Sequence, residues 1–418
     1  MKINHIKIHH FQGIKDVELE LEPQLTIIVG KNGAGKTSIL NAISRGLMAI
    51  NNTTYTSKNG YSHIITDIDD NSKYNNQDNN LIEIFFTPIQ INQNEFLYSI
   101  QIDQKNTHYF TKNPCLLNDQ PNHRSSIIPL YHESELKHLF LYYKQDRGFQ
   151  NNNDTYGKNI HAESLFGNLN AIRNLSSWWN NLDAQEARIV RDTQDLSYRH
   201  PELEAIRSLI KQIDTFKNIK YNATGSRPGL YLEKTNSNLV HVDNLSSGER
   251  SYIILLADLA RRLQIIDPEK KLSDIVGVIL IDEIELNLHP AWQNQIIPTL
   301  TRVFKNCQFI ITTHSPQVLS TVNSDHIRIL TKDENDTIEV ITPQNTKGRT
   351  SNYILEAILG VSERSPTADD LINKFNNAID ESNVQQATKL LEDISKEIEG
   401  DAPELRIFKN RLARISKE

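Results

Sequence analysis

Nine residues, Gly30-Lys-Asn-Gly-Ala-Gly-Lys-Thr-Ser38, constrain this chain more than any other stretch. They fill the pattern G-x-x-x-x-G-K-[ST], with Gly30, Gly35, Lys36 and Thr37 at the fixed places. The residues before them, Leu25-Thr-Ile-Ile-Val29, are apolar and β-branched, as a buried strand requires. Those after, Ile39-Leu-Asn-Ala-Ile-Ser44, have the apolar spacing of a helix. A glycine-rich turn between a strand and a helix lets backbone N–H groups face a phosphate, and the helix N-terminus adds positive potential. Asn32, Gly33, Ala34 and Ser38 complete that cradle. Lys36 is expected to reach the β- and γ-phosphates, and Thr37 to offer its hydroxyl to Mg²⁺. The chain is therefore expected to bind a nucleoside triphosphate.

Bulk properties narrow the setting. The 418 residues suffice for a large core and two or three structural units. Hydrophobic residues are 38% of the chain and the mean hydropathy is −0.50, and no apolar run approaches the ~20 residues that span a bilayer. The start, Met1-Lys-Ile-Asn-His-Ile-Lys-Ile8, alternates like a strand and lacks a signal-peptide core. Cys115 and Cys307 are too few for a disulfide framework, so a cytoplasmic protein is expected, with no membrane association. A net charge of −7 gives no global attraction to nucleic acid.

Upstream of the phosphate loop, Ile3–Ile8 and Val17–Leu21 alternate and predict a small antiparallel sheet, with Phe11 between them as a core residue or an adenine-packing ring. His5, His9 and His10 read as strand-face side chains. Asn-rich stretches at 51–52, 69–80 and 150–153 read as solvated loops. Leu81–Phe86 and Phe96–Ile102 predict paired strands. His132-Glu133 with His138 misses the H-E-x-x-H spacing and reads as surface. Leu139–Tyr143 predicts another strand, followed by helices from about 161 to 217 in which Trp178 and Trp179 are expected to be core.

A second group of chemical residues begins at Leu245-Ser-Ser-Gly-Glu-Arg250, before a helical run from Ser251 to Gln264. Ser246, Ser247, Gly248 and Glu249 offer either a second phosphate-sized nest or simply an N-capped helix. Ile275–Ile281 is an unbroken apolar run ending in Asp282 and Glu283, which predicts a buried parallel strand presenting two carboxylates at its C-terminal edge. Asp282 is expected to hold Mg²⁺, and Glu283 to accept the proton of an attacking water. A third strand, Cys307–Thr313, ends at His314; alone it reads as a core or capping histidine, and its order after the acidic strand is what makes it a candidate to bond a γ-phosphate. A hairpin, Ile327–Leu330 with Thr337–Ile341, and a helical tail follow.

In this order the motifs resemble the SMC/RecF branch of ABC-type ATPases. Gly30–Ser38 resembles Walker A, Leu245–Arg250 the ABC signature, and Ile279–Glu283 Walker B with its catalytic glutamate. Leu286-Asn-Leu-His289 is similar to the D-loop, His314 to the switch histidine, and Gln145, preferred over Gln90 and Gln93, to the Q-loop glutamine. The gap from Lys36 to Leu245 is too long for a transporter domain and far too short for SMC arms. Among short-armed relatives the likeness is to the PtuA/OLD-like antiphage ATPases, carried also by residues 310–319, 348–355 and 359–366.

The resemblance implies an α/β ABC-type P-loop ATPase head, a mixed sheet with an antiparallel β subdomain, an inserted helical lobe and a C-terminal helical tail. The expected divisions are 1–145 with Walker A, 146–240 as a helical insertion, 241–366 with signature, Walker B and switch histidine, and 367–418 as the tail, a candidate partner surface. It implies ATP and Mg²⁺ as cofactors, and a homodimer or higher oligomer in which one subunit's signature completes another's ATP site. About fifty residues after Pro366 are too short for the Toprim domain of OLD nucleases, so an intrinsic nuclease is not expected. A separate HNH-type nuclease subunit is the partner that a PtuA-like layout implies. Two other functions stay open: a RecF-type DNA-repair clamp, with nucleic acid as partner, and an ATP-binding assembly scaffold with little turnover.

Overall fold

A computed structural model describes residues 2–55, 81–86, 89–91, 94–103, 107–112, 139–145, 171–224, 227–333, 337–362, 364–398, 400 and 402–416. The chain divides into two compact units, Met1–Arg349 and Thr350–Glu418.

Three sheets are described in the first unit, two of them six-stranded. Strands β1 (Ile3–Phe11) and β2 (Ile14–Glu20) form the expected antiparallel pair, with Ile6 opposite Leu19 and Ile8 opposite Val17. β1 also pairs with β4 (Leu81–Phe86), which pairs with β6 (Asn94–Asp103); β5 (Ile89–Ile91) and β7 (Thr107–Lys112) flank β6. The other six-stranded sheet holds β3 (Leu25–Gly30), β8 (Leu139–Tyr143), β12 (Gly277–Ile281), β13 (Gln308–Thr312), β14 (Ile327–Lys332) and β15 (Ile338–Ile341). Its order among the described residues is β15-β14-β3-β13-β12-β8, parallel except at β15. β3, β8, β12 and β13 are buried along their whole length, which is why they read as mainly apolar runs.

Helix α1 (Lys36–Tyr55) packs between these sheets. Its Ile39, Leu40, Ile43 and Leu47 share one core with Ile6, Ile8, Ile82 and Ile84 on one side and Leu280 and Ile310 on the other. Phe11 belongs to that core and is fully buried, so it is a packing residue and its ring is not offered to an adenine. His5 and His9 pair across the hairpin with Glu18 and Asp16, as strand-face side chains do.

In chain order α2 (Ala171–Thr193) and α3 (Pro201–Ile210) come between β8 and β12. Trp179 is fully buried there and Trp178 half-buried. The expected all-helical segment 146–240 is corrected at its end, since Phe216–Asn222 (β9), Gly229–Lys234 (β10) and Leu239–His241 (β11) form a three-stranded antiparallel sheet. Leu230 and Leu232 on β10 and Ile219 on β9 bury one face of it. The following helix, α4 (Ser247–Ile266), is buried almost continuously from Ser251 to Gln264, against α2, α3 and α5 (Pro290–Val303).

The second unit contains α7 (Ser351–Ala357), α8 (Pro366–Asp380), α9 (Val384–Glu397) and α10 (Pro403–Ile415); the short α6 (Pro316–Leu319) belongs to the first unit. Phe375, Ala387, Leu391, Ile394, Leu405 and Phe408 form its separate core. Ser365 and Asn383 cap α8 and α9 through side-chain oxygens that accept from Ala368 and Gln386 N–H groups.

Candidate functional site

Sheet register brings the motif residues to one edge. Tyr143 of β8 lies opposite Ile281 of β12, Ile281 opposite Ile311 of β13, and Thr312 opposite Ile28 of β3. The segments leaving these strands therefore emerge together: Gln145, Asp282–Glu283, Thr313–Ser315 and the loop from Gly30. In a parallel sheet this C-terminal edge is where ligands bind.

The phosphate loop closes tightly on its neighbours. A Cβ on Gly30, where φ is +155°, would lie 2.6 Å from the Leu330 carbonyl oxygen of β14, so this position admits no side chain. Lys36 begins α1, and its Nζ donates to the carbonyls of Gly30 at 2.9 Å and Lys31 at 3.0 Å. An ammonium has three protons, which leaves one for a phosphate oxygen. Burial pulls Lys36 below the ordinary lysine range, against the opposing influence of Asp282, Glu283 and Glu285. Asn32, Gly33 and Thr37 are exposed, Ser38 is half-buried and Ala34 is buried.

Thr37 Oγ1 donates to Asp282 Oδ2 at 2.9 Å. Mg²⁺ is held by one or two protein oxygens together with phosphates and water, and a hydroxyl and a carboxylate at this spacing fit that donor set. Among the described residues no group of three or more His, Cys, Asp or Glu side chains is placed to hold a metal by itself. Asp282 is almost wholly buried. Its Oδ1 accepts from Thr312 Oγ1 at 2.5 Å, and its N–H donates to the Tyr143 carbonyl at 2.8 Å.

Glu283 has φ +47°, a left-handed conformation that costs a non-glycine residue about 1–3 kcal/mol. It is held there by Thr312, whose Oγ1 accepts the Glu283 N–H at 2.8 Å and whose carbonyl accepts the Ile284 N–H at 3.1 Å. Thr312 thus grips both strand-end acids, a role that sequence reading did not assign. The available signal was a pair of threonines ending an apolar strand just before His314. His314 is half-buried, and its N–H donates to Glu285 Oε1 at 2.5 Å. Gln145 is exposed, two residues beyond β8, while Gln93 lies outside the described residues. His132, Glu133 and His138 also lie outside them.

The Ser246–Glu249 segment is a capping box. Ser246 Oγ accepts the Glu249 N–H at 3.3 Å, and Glu249 Oε2 accepts from the Ser246 N–H at 3.1 Å. Lys234 on β10 adds an ion pair to Glu249 at 2.8 Å. Burial raises the Glu249 carboxyl, but Lys234 and Ser246 outweigh it and hold it below its usual range. Glu249 is thus engaged within the chain, while Ser246 and Ser247 are exposed. Gly248 is buried: a Cβ there would lie 3.0 Å from the His289 nitrogen, which fixes this end of α4 against the segment after Glu283.

Lys36→Ala is expected to weaken ATP binding about 10- to 10²-fold, the value of one charge-assisted hydrogen bond. Nucleotide titration followed by calorimetry checks this, and unchanged affinity would remove Lys36 from the site.

Comparison with known proteins places this geometry in context. The chain is 26% identical over 438 residues to "Retron Ec83 probable ATPase" of Escherichia coli, covering 91% of this chain and 80% of that protein. It is 27% identical over 208 residues to "Septu protein PtuA" of Bacillus thuringiensis, covering 48% of this chain and 52% of that protein. Among solved structures, the SMC head domain from Thermotoga maritima matches with a TM-score of 0.45 and 16% identity, covering 82% of this chain and all of that one. No helix among the described residues is long and apolar enough to cross a membrane. An AAA ATPase domain model matches residues 1–48, and a second model spans residues 25–320, from β3 through the strand-end acids to the turn after His314. By that match the chain belongs to the ATPase family described as "AAA domain, putative AbiEii toxin, Type IV TA system".

Proposed function

We propose that this chain is the ATP-binding and hydrolysing subunit of a bacterial antiphage defence complex, that two copies close head to tail around ATP, and that closure controls a separate HNH-type nuclease. The observation that carries this reading is the shared sheet edge, where Lys36, Thr37, Asp282, Glu283 and His314 leave neighbouring strands. Similarity to a retron ATPase and to a Septu PtuA protein supports the defence setting.

In this reading Lys36 and the N–H groups of the loop hold the phosphates, apart from that of Ala34, which donates to the Lys31 carbonyl at 3.1 Å, and Thr37 with Asp282 would hold Mg²⁺. When bound, the metal neutralises charge on the β- and γ-phosphate oxygens. Glu283 takes the proton of the attacking water, His314 bonds the γ-phosphate, and Gln145 lies at the rim. Ser247 and the start of α4 from a second copy complete the enclosure.

The reading is tested by light scattering of Glu283→Gln with saturating ATP and Mg²⁺, compared with ADP. Mass is expected to double with ATP alone, and a chain that stays monomeric would overturn the head-to-tail site. Purification of the complex from its native host, followed by mass spectrometry, is expected to return a nuclease subunit. ATP turnover that rises on adding DNA, without such a subunit, would favour a DNA-repair clamp instead.

A further inference from the structure

The turn carrying His314 is tied to the segment after Glu283 by two side chains that have no assigned role. Glu285 binds it on one side: Oε1 accepts the His314 N–H at 2.5 Å and Oε2 accepts from Thr313 Oγ1 at 2.6 Å. Gln293, in the first turn of α5, binds it on the other. Its Oε1 accepts from Ser315 Oγ at 2.6 Å, while its Nε2 donates to the Leu288 carbonyl at 2.8 Å. Thr313 Oγ1 also accepts the Ser315 N–H at 3.0 Å, so the two grips join. Thr313 and Ser315 are buried at 0% and 5% exposure, where hydrogen bonds are shielded from competing water.

This arrangement exceeds what holding a loop requires. Strand pairing already fixes the turn's entry at Thr312, and Ser315 already caps α6 by accepting the Val318 N–H at 3.2 Å. A doubly engaged carboxylate on a peptide N–H sets the orientation of that peptide, and with it the direction of the next side chain. The residue so oriented is His314.

We propose that Glu285 and Gln293 are positioning residues, clamping the Thr313–Ser315 turn to residues 285–288 so that His314 moves with the segment that follows the strand-end acids. This rests on the reading of His314 as a group that meets the γ-phosphate. Glu285 and Gln293 touch neither phosphate nor water in this scheme; Gln293 acts through His314, and Glu285 does so besides its electrostatic pull on Lys36.

The test is steady-state ATP turnover by Glu285→Ala and Gln293→Ala, each alone and combined with His314→Ala. Each single change is expected to lower kcat about 10- to 10²-fold, the effect of misplacing a catalytic group by about 1 Å, with KM for ATP within about twofold. In the His314→Ala background neither is expected to cost more than about twofold further. Full additivity, or unchanged kcat in the singles, would overturn the proposal. A His314→Ala protein that turns over normally would instead sink the reading of His314, so the two failures are distinguishable. Should Glu285→Ala not fold, Thr313→Val removes one of the same contacts and Thr313→Ser restores it. Loss of kcat in the first and recovery in the second is the expected pattern, and equal rates in both would count against the clamp.

Discussion

Glu283→Gln is expected to bind ATP as tightly as the native chain and to turn it over about 10²- to 10⁴-fold more slowly, the range for loss of a general base. The substitution isolates the proton-accepting oxygen. Glutamine has the same length and the same backbone preferences, so the left-handed φ of +47° and the grip of Thr312 on the residue's N–H are retained. Asp282 keeps its own bonds to Thr37 and Thr312, so the pair proposed to hold Mg²⁺ is undisturbed. Phosphate release against a nucleotide titration separates the two quantities. Undiminished turnover would remove Glu283 as the base, and lost binding would place it among the phosphate-holding groups instead.

Those strand-end acids were readable from the sequence because the parallel sheet writes itself plainly. Leu25–Val29, Gly277–Ile281 and Gln308–Thr312 are buried on both faces, so each reads as a mainly apolar run, with Thr26, Gln308 and Thr312 the polar members. The β1–β2 hairpin was equally legible, since Ile6, Ile8, Val17 and Leu19 alternate with charged partners. The sheet at 216–241 was not. On β9 the buried residues are Phe216 and Ile219, three apart, which is helical spacing. A register shift between Glu233 and Lys234 on its partner allows that spacing in a strand, and it leaves no local mark.

Polar residues that act by juxtaposition were hidden for another reason. Thr312 meets Asp282 across thirty positions and Glu285 meets Thr313 across twenty-eight, so nothing near either in sequence distinguishes it from an ordinary strand-end or turn residue. Lys234 likewise reaches Glu249 only because β10 folds back beside the start of α4. The Ser246–Glu249 box, by contrast, is local and was visible as a capping signal from spacing alone.

Asp258→Ala is expected to destabilise the first unit by about 3–5 kcal/mol, the cost of leaving a buried charge without its partner. Asp258 sits wholly buried in the middle of α4, where it accepts from Arg262 Nε at 2.8 Å, Arg261 Nη2 at 2.6 Å and the Tyr143 hydroxyl at 3.1 Å. Both guanidiniums are themselves buried, at 6% and 2% exposure, so removing the carboxylate strips each of a charged acceptor inside the core. Burial alone raises the Asp258 carboxyl, but Arg262 and Arg261 outweigh it and hold the group below the ordinary aspartate range. With the native value lower than the unfolded one, the stabilisation is fully present above the unfolded value of about 3.9 and is lost as pH falls through the lowered native value. The same carboxylate ties the helix capped by Ser246 to Tyr143, whose carbonyl receives the Asp282 N–H. Asp258→Ala is therefore expected to loosen α4 from Tyr143 and the neighbouring strand-end acids as well as to lower stability. Denaturant unfolding at pH 7 measures the first effect, and hydrogen exchange of the Asp282 amide measures the second. A shift of under about 1 kcal/mol, the value of a surface ion pair, would show that the two arginines find other acceptors when Asp258 is gone.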